Sequence, residues 1–332
     1  MRLKRRQNAM SHIFDALVRS KSGHAGDETK ASVTNVLENA ERDTMLRRET
    51  EQRSDDEQAG GLGFSQLLNV SGDGAVLASP GESPLADHAE VQRESRIEAA
   101  FSPAQAVMAA DSRVVAITDP KSPAAEAFRL LGVRVRHLRR ERRLNTVLIT
   151  STVAQEGKST IASNLACTLA KGAAKSVLLL DGDLRRPALA NAFGISASPG
   201  LSEYLRRKSD TTSVIYRLEH PGLWILPSGD TPDHPLELLQ SPRLSALMQT
   251  IGELFEWVII DSPPFLPLAD ASIWERWADG VIVVARQGTS RKRMLQKGLE
   301  AIDPQKLLCA LLNVSSEGGV QDYYSYYRNE MN

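Results

Sequence analysis

The chain has 332 residues, 42% of them hydrophobic, and a formal net charge of −1. That length holds one large α/β domain plus a tail, or two small domains. The near-neutral charge argues against a nucleic-acid partner and against an acidic, solvating chain. No apolar run reaches the length of a membrane span. The basic start (Arg2, Lys4, Arg5, Arg6) leads into SHIFDALVRS, too short and too polar for a signal peptide. We therefore expect a cytoplasmic protein that meets the membrane through a partner. Cys167 and Cys309 lie in apolar runs and read as small core residues of a reducing compartment.

The residues before Met10 look like read-through, so Met10 is a second candidate start. Around Ile13, Phe14 and Leu17 the pattern predicts a short amphipathic helix, either solvated or used for docking. From about residue 20 to 110 the chain is rich in Ser, Glu, Asp, Arg, Gln and Gly. Such a segment buries too little apolar surface to offset its ordering entropy. Residues 1–110 are expected to be mostly disordered, with short helices near Ala31–Arg53 and Glu90–Ala100.

Order is expected from Ser112. Val114–Ile117 reads as a short strand ended by Asp119-Pro120. Ser122 is a candidate N-cap with Pro123 at the first helical position. Phe128, Leu131, Val135 and Leu138 then share one helix face, while Arg129, Arg134, Arg136, Arg139 and Arg140 form the other. That cationic face is either solvated or a subunit contact.

The stretch TVLITSTVAQEGKST, Thr146–Thr160, is a buried strand running into a loop and a helix start. That is the context of a phosphate-binding loop, with backbone N–H groups and a helix N-terminus facing phosphate. Gln155, Glu156, Gly157, Lys158, Ser159 and Thr160 form it. Lys158 supplies a mobile positive charge and Ser159 a hydroxyl for Mg²⁺. The usual first glycine of such loops is replaced by Thr152. A second strand, Ser176–Leu180, delivers Asp181-Gly182-Asp183-Leu184-Arg185-Arg186-Pro187 at its C-terminal end, where ligands bind in parallel sheets. A third, Trp257–Ile260, ends on Asp261, the Walker-B arrangement that brings a carboxylate to Mg²⁺.

Short helices are predicted at Ala188–Phe193 and from Gly200, a strand at Leu223–Pro227, and a helix at Leu236–Met248. Strands at Val281–Val284 and Leu307–Leu312 flank a helix at Arg291–Ile302. Alternating helices and continuous apolar strands predict an α/β fold, a P-loop NTPase-like, mostly parallel sheet covered on both faces, over residues 111–314. Residues 315–332 read as a flexible tail, in which Tyr323, Tyr324, Tyr326 and Tyr327 supply four of the chain's six tyrosines. Clustered phenols on a flexible end suit an enzyme that phosphorylates tyrosine on a neighbouring copy.

The phosphate loop, VLLLDGDLRRP, LPSGDTPDHPLELL, WVIIDSPP and the tyrosine tail together resemble the bacterial tyrosine autokinases (BY-kinases) of exopolysaccharide synthesis. The likeness runs from about Ser112 to the C-terminus. It implies a P-loop domain akin to partition and septum-positioning ATPases, with ATP and Mg²⁺ as cofactors. On matching positions it implies that Lys158 and the loop amides hold the β- and γ-phosphates. Ser159 and Asp261 would hold Mg²⁺ with Asp183 nearby, and Asp181 would serve as the base, so that Lys158, Asp181 and Asp183 form the catalytic set. Tyr323, Tyr324, Tyr326 and Tyr327 would be phosphorylated in trans within a ring-shaped homo-oligomer, the unmodified tail favouring the ring and the modified tail monomers. Asn313 resembles the adenine-contacting Asn of related ATPases; a strand-end cap is the plainer reading.

Relatives usually carry Pro-Gly at Ala154-Gln155, and an oligomer helix reading E-x-x-R-x-x-R in which Glu126 and Arg129 match, Gly132 takes the third place, and Arg134 or Arg136 could substitute. The missing spanning activator resembles the split arrangement, in which a separate membrane-bound polysaccharide co-polymerase switches the kinase on. MSHIFDAL also resembles the leader of autokinases beside exosortase-type loci. The competing readings are a positioning-type ATPase and a nucleotide-gated adaptor without kinase chemistry.

Overall fold

The computed structural model describes residues 12–14, 96–97, 104–105, 113–171, 176–209, 214–218, 222–266 and 269–314. The expected helices of the N-terminal segment and the tyrosine tail lie largely outside these residues. Within 90–100, Arg96 and Ile97 are helical, and Ile97 is buried in the main core.

The strands are β1 (His12–Phe14), β2 (Ala104–Gln105), β3 (Thr146–Ser151), β4 (Val177–Asp181), β5 (Tyr216–Leu218), β6 (Leu223–Leu226), β7 (Trp257–Asp261), β8 (Gly280–Arg286) and β9 (Leu307–Val314). Among the described residues they form one sheet in the order β1-β9-β8-β3-β7-β4-β6-β5-β2. The centre, β9 to β6, is parallel throughout. Antiparallel partners stand at its margins, β1 on β9 and β5 on β6.

The helices are α1 (Val115–Thr118), α2 (Pro123–Glu141), α3 (Lys158–Ala170), α4 (Leu189–Phe193), α5 (Leu201–Leu205), α6 (Pro235–Leu239), α7 (Pro242–Leu254), α8 (Asp270–Trp277) and α9 (Lys292–Ala301). Strand alternation sends successive side chains to opposite faces, which splits the core in two. Leu148, Leu178, Leu180, Val258 and Ile260 join one cluster with Leu247, Ile251, Trp274, Leu295 and Leu299 from α7, α8 and α9. Val147, Ile149, Val177, Leu179 and Ile259 join the other with Phe128, Leu131, Ile161 and Leu165 from α2 and α3. Full burial of each large side chain contributes about 1.5–3 kcal/mol, so the two helical layers fix the strand ends. Both cysteines are buried and unpaired; burial pushes the Cys167 thiol up to about 12.

Several expectations need correction. Val114–Ile117 is not a strand; Val115–Thr118 is the one-turn helix α1. Asn164 of α3 accepts from Ala116 N at 2.9 Å and donates to Arg113 O at 3.1 Å, so this backbone pairs with a helix instead of a sheet. A four-residue apolar run does not by itself separate the two states. His12–Phe14 is a strand on β9 where a helix was expected. The helix expected at Leu236–Met248 is two, because Pro242 cannot donate its N–H to a continuing helix and starts α7 instead. The N-cap at Ser122 stands as expected, accepting from Ala125 N at 3.2 Å.

Candidate active site

Chain connectivity brings three strand ends together. β3 opens directly into the phosphate loop and α3. The chain crosses to β4, leaving a gap that β7 fills. In that register Asp181 and Asp261 are side-by-side partners at the C-terminal ends of β4 and β7, about 4.8 Å apart along the backbone spacing of a sheet. Two carboxylates thus face the mouth of the loop where strand order departs from chain order.

The loop is braced from inside. Glu156 is fully buried, and its carboxylate accepts from Thr152 N at 2.8 Å and Val153 N at 3.0 Å; the Ser290 hydroxyl of the β8–α9 turn also donates to it. Its side chain therefore holds the loop's shape and is turned away from any ligand. Gln155 adopts a left-handed backbone, φ 68°. Gly157, φ 94°, caps α3, and a Cβ there would collide with Asn313 Nδ2. Asn313 donates to Glu156 O at 3.1 Å, and its Oδ1 is buried without a partner. The unusual Thr152 fits because α9 carries Gly298 opposite it: a Cβ on Gly298 would lie 2.6 Å from Thr152 Cγ2.

Lys158 Nζ lies 3.0 Å from Asp183 Oδ2, both side chains largely buried. Burial opposes the ammonium charge, but Asp261, Asp183 and Asp181 outweigh it and hold the Lys158 pKa above its ordinary value. Asp181 is fully buried. Its Oδ2 accepts from Ala188 N and Leu189 N at 3.0 Å each, and its Oδ1 only from Asp183 N at 3.3 Å. Burial and then the Asp261 charge push its pKa well up, against those backbone donors. Burial likewise raises Asp261, tempered by Lys158 and by the nearby Ser159 hydroxyl.

Asp261 differs from its neighbours in one respect. Neither carboxylate oxygen is exposed and neither has a hydrogen bond of good geometry, its support being the Lys158 charge and a marginal approach of the Ser159 hydroxyl. A buried charged acceptor without partners is costly. With Ser159 and Asp183 beside it, this set of hard oxygen ligands fits Mg²⁺.

The structure thus gathers Lys158, Ser159, Asp181, Asp183 and Asp261 at one edge. It assigns Glu156 to the frame of the loop, and leaves the four tail tyrosines outside the described residues. Sequence reasoning missed the supports of the D-G-D loop. Arg185 is clamped on the buried Asp270 at 2.7 and 3.2 Å, and Trp274 Nε1 donates to Gly182 O at 2.9 Å. Asp270 and Trp274 are spaced i, i+4 on α8, a signal that they share one face.

Fold and site together define a P-loop nucleotide-binding domain of the parallel α/β class. No family model matches the chain. It is 35% identical over 221 residues to the tyrosine-protein kinase YwqD of Bacillus subtilis (strain 168), covering 66% of this chain and 92% of that one. The chimerical protein CapA2B2 superposes with a TM-score of 0.59 at 29% identity, covering 67% of this chain and 99% of that one. The kinase domain of the Escherichia coli tyrosine kinase ETK gives 0.58 at 30%, covering 62% and 81%. Against the longer tyrosine-protein kinase etk of Escherichia coli (strain K12), the match spans 66% of this chain but 30% of that protein. The chain belongs to the bacterial tyrosine-protein kinase family.

Proposed function

We propose that the chain is an ATP-dependent protein-tyrosine kinase that phosphorylates its own C-terminal tyrosines and so regulates exopolysaccharide polymerisation and export. The observation that carries the nucleotide half is the buried, unpartnered Asp261 carboxylate beside the Lys158–Asp183 pair. The tyrosine half rests on relatives named as tyrosine-protein kinases and on Tyr323, Tyr324, Tyr326 and Tyr327. The positioning-ATPase and adaptor readings share the nucleotide half but have no support from the tyrosine half.

In this mechanism Lys158 exchanges Asp183 for the β- and γ-phosphates of ATP, which the amides of Gln155 to Thr160 also cradle. Ser159, Asp261 and Asp183 would hold magnesium, whose charge neutralises the phosphate oxygens. The Oδ1 of Asn313 is free to accept from the adenine amino group. A tail tyrosine oxygen attacks the γ-phosphorus, the bond to the β–γ bridging oxygen breaks, and ADP leaves with the electron pair. The phenol proton passes to Asp181, whose raised pKa suits a base and whose Oδ1 has acceptor capacity to spare. The acceptor tail comes from a neighbouring copy in a ring-shaped oligomer. A membrane-bound co-polymerase recruits and activates the kinase at the inner face of the membrane. Among the described residues no helix is long and apolar enough to cross one.

The test is purified full-length chain with labelled ATP and Mg²⁺, alone and with an activator fragment. Wild type should incorporate label, and Lys158→Met and a variant with all four tail tyrosines changed to Phe should not. Label persisting in the fourfold variant would place the acceptor elsewhere; an unlabelled wild type would refute kinase activity.

A further inference from the structure

We infer that the cavity between α1, α2 and α3 is a receptor for a tyrosyl phosphate on the same chain's C-terminal tail. The inference rests on the kinase function proposed above, which supplies the phosphate. The cavity measures about 310 Å³ and is lined by Arg129, Val133, Arg136, Thr168 and Lys171, among others; no carboxylate lines it. Two of its three cations are already occupied. Arg129 pairs with Glu126 and donates to Pro120 O, and Lys171 donates to Ala116 O. Arg136 is different: its Nη1 is buried with no hydrogen-bond partner. A guanidinium N–H withdrawn from water and left unmet is unfavourable, and its planar fork matches the oxygens of a phosphate or a carboxylate.

Gly132 brings α2 close to α3 beside the cavity. A Cβ there would approach Thr168 Cγ2 to 3.0 Å and the Arg136 Nη2 to 3.7 Å. With only hydrogen at that position, α2 packs closely on α3, and Arg136 passes the same spot at ordinary van der Waals distance. Val133, 57% exposed, offers an apolar surface to the cavity's occupant. Cationic floor and apolar wall together suit an aryl phosphate better than a bare anion. The volume lies at the lower end of ordinary ligand sites, about 300 Å³, enough for one phosphorylated phenol.

The chain supplies such a group. Tyr323 to Tyr327 lie nine to thirteen residues beyond Val314, the last residue of β9. Extended, that length reaches about 30–45 Å, against a radius of gyration of about 16 Å for a domain of about 200 residues. The tail can therefore reach this cavity on its own domain. A neutral phenol leaves Arg136 unmet, whereas a phosphate brings about two negative charges and three acceptor oxygens. Phosphorylation would thus seat the tail on its own α2 and withdraw it from a neighbour's active site, giving the kinase a product-driven off state.

The experiment uses the full chain with its four tail tyrosines changed to Phe, saturated with ADP and Mg²⁺ so that the phosphate loop is filled. Synthetic peptides copying residues 318–332, with Tyr326 phosphorylated or unmodified, are titrated by fluorescence anisotropy. The phosphopeptide should bind at least about tenfold more tightly. Arg136→Ala, and separately Val133→Glu at the exposed mouth, should abolish that difference while thermal melts show a folded protein. Phosphorylated wild type should stay monomeric by light scattering as its concentration rises. Equal binding of both peptides would overturn the inference, as would Arg136→Ala binding the phosphopeptide like wild type. A peptide with Glu at position 326 binding as tightly would make this a receptor for acidic side chains. Inorganic phosphate displacing the peptide at equal affinity would make it a free-anion site, and concentration-dependent association lost in Arg136→Ala would assign the seat to a second copy. The peptides are made chemically, so failure here leaves the kinase reading standing, and an inactive kinase leaves this titration interpretable.

Discussion

Replacing Gly298 with alanine probes how the phosphate loop tolerates Thr152. The new Cβ would sit 2.6 Å from Thr152 Cγ2 and 3.5 Å from its Cβ. Overpacking of this kind costs about 1–3 kcal/mol. Alanine also returns about 1 kcal/mol of helix propensity inside α9. The net effect in wild type is a destabilisation of about 0–2 kcal/mol. Thr152→Ser removes Cγ2 but keeps the hydroxyl that lies 3.2 Å from the Glu156 carboxylate. In that background only the propensity gain remains, so Gly298→Ala should stabilise by about 1 kcal/mol. The sign of one substitution therefore reverses with the residue across from it, and the double-mutant cycle should return a coupling of about 1–3 kcal/mol. Chemical denaturation of the nucleotide-free chain measures it, with midpoints shifting at constant slope. Gly298→Ala stabilising equally in both backgrounds would refute the claim that α9 makes room for the loop.

Two further perturbations address the carboxylates. Arg185→Ala leaves the buried Asp270 without its partner and should cost about 1–3 kcal/mol; Arg185→Lys should recover part of it, and identical melting of all three proteins would show the clamp to be idle. Asp181 titrates above the ordinary carboxylate range because of burial and the Asp261 charge. Its protonated form is the better accommodated, so its contribution is complete below about pH 4 and is lost as pH rises through the folded value. Asp181→Asn should therefore gain on wild type in nucleotide-free melts as pH climbs from 5 to about 8, and a gap that stays constant with pH would contradict the shift.

The sequence told most where a residue type has one plausible use. Apolar runs ending on Asp181 and Asp261, with GKST after a strand, located the site because buried parallel strands place their C-terminal ends together. It told least where long-range partners decide. Val114–Ile117 became helical through Asn164, a residue on another helix. The short strands β1, β2 and β5 carry too few residues for a periodic signal. Glu156 looks from its position like a ligand-facing residue, but folding brings Ser290 to it and turns the carboxylate inward. The fit of Thr152 depends on Gly298, which no local pattern couples to it.

In the mechanism proposed above, Asp261 receives the metal that binds with the nucleotide. Titration calorimetry of ATP with and without Mg²⁺, on wild type and Asp261→Asn, tests this directly. The amide removes the cost of burying a carboxylate and also its attraction to Lys158, opposing effects, so the variant should remain folded without nucleotide. Mg²⁺ should tighten ATP binding to wild type by at least about tenfold, a difference of about 1.4 kcal/mol, and leave the variant unchanged. Equal Mg²⁺-dependent tightening in both proteins would contradict the account.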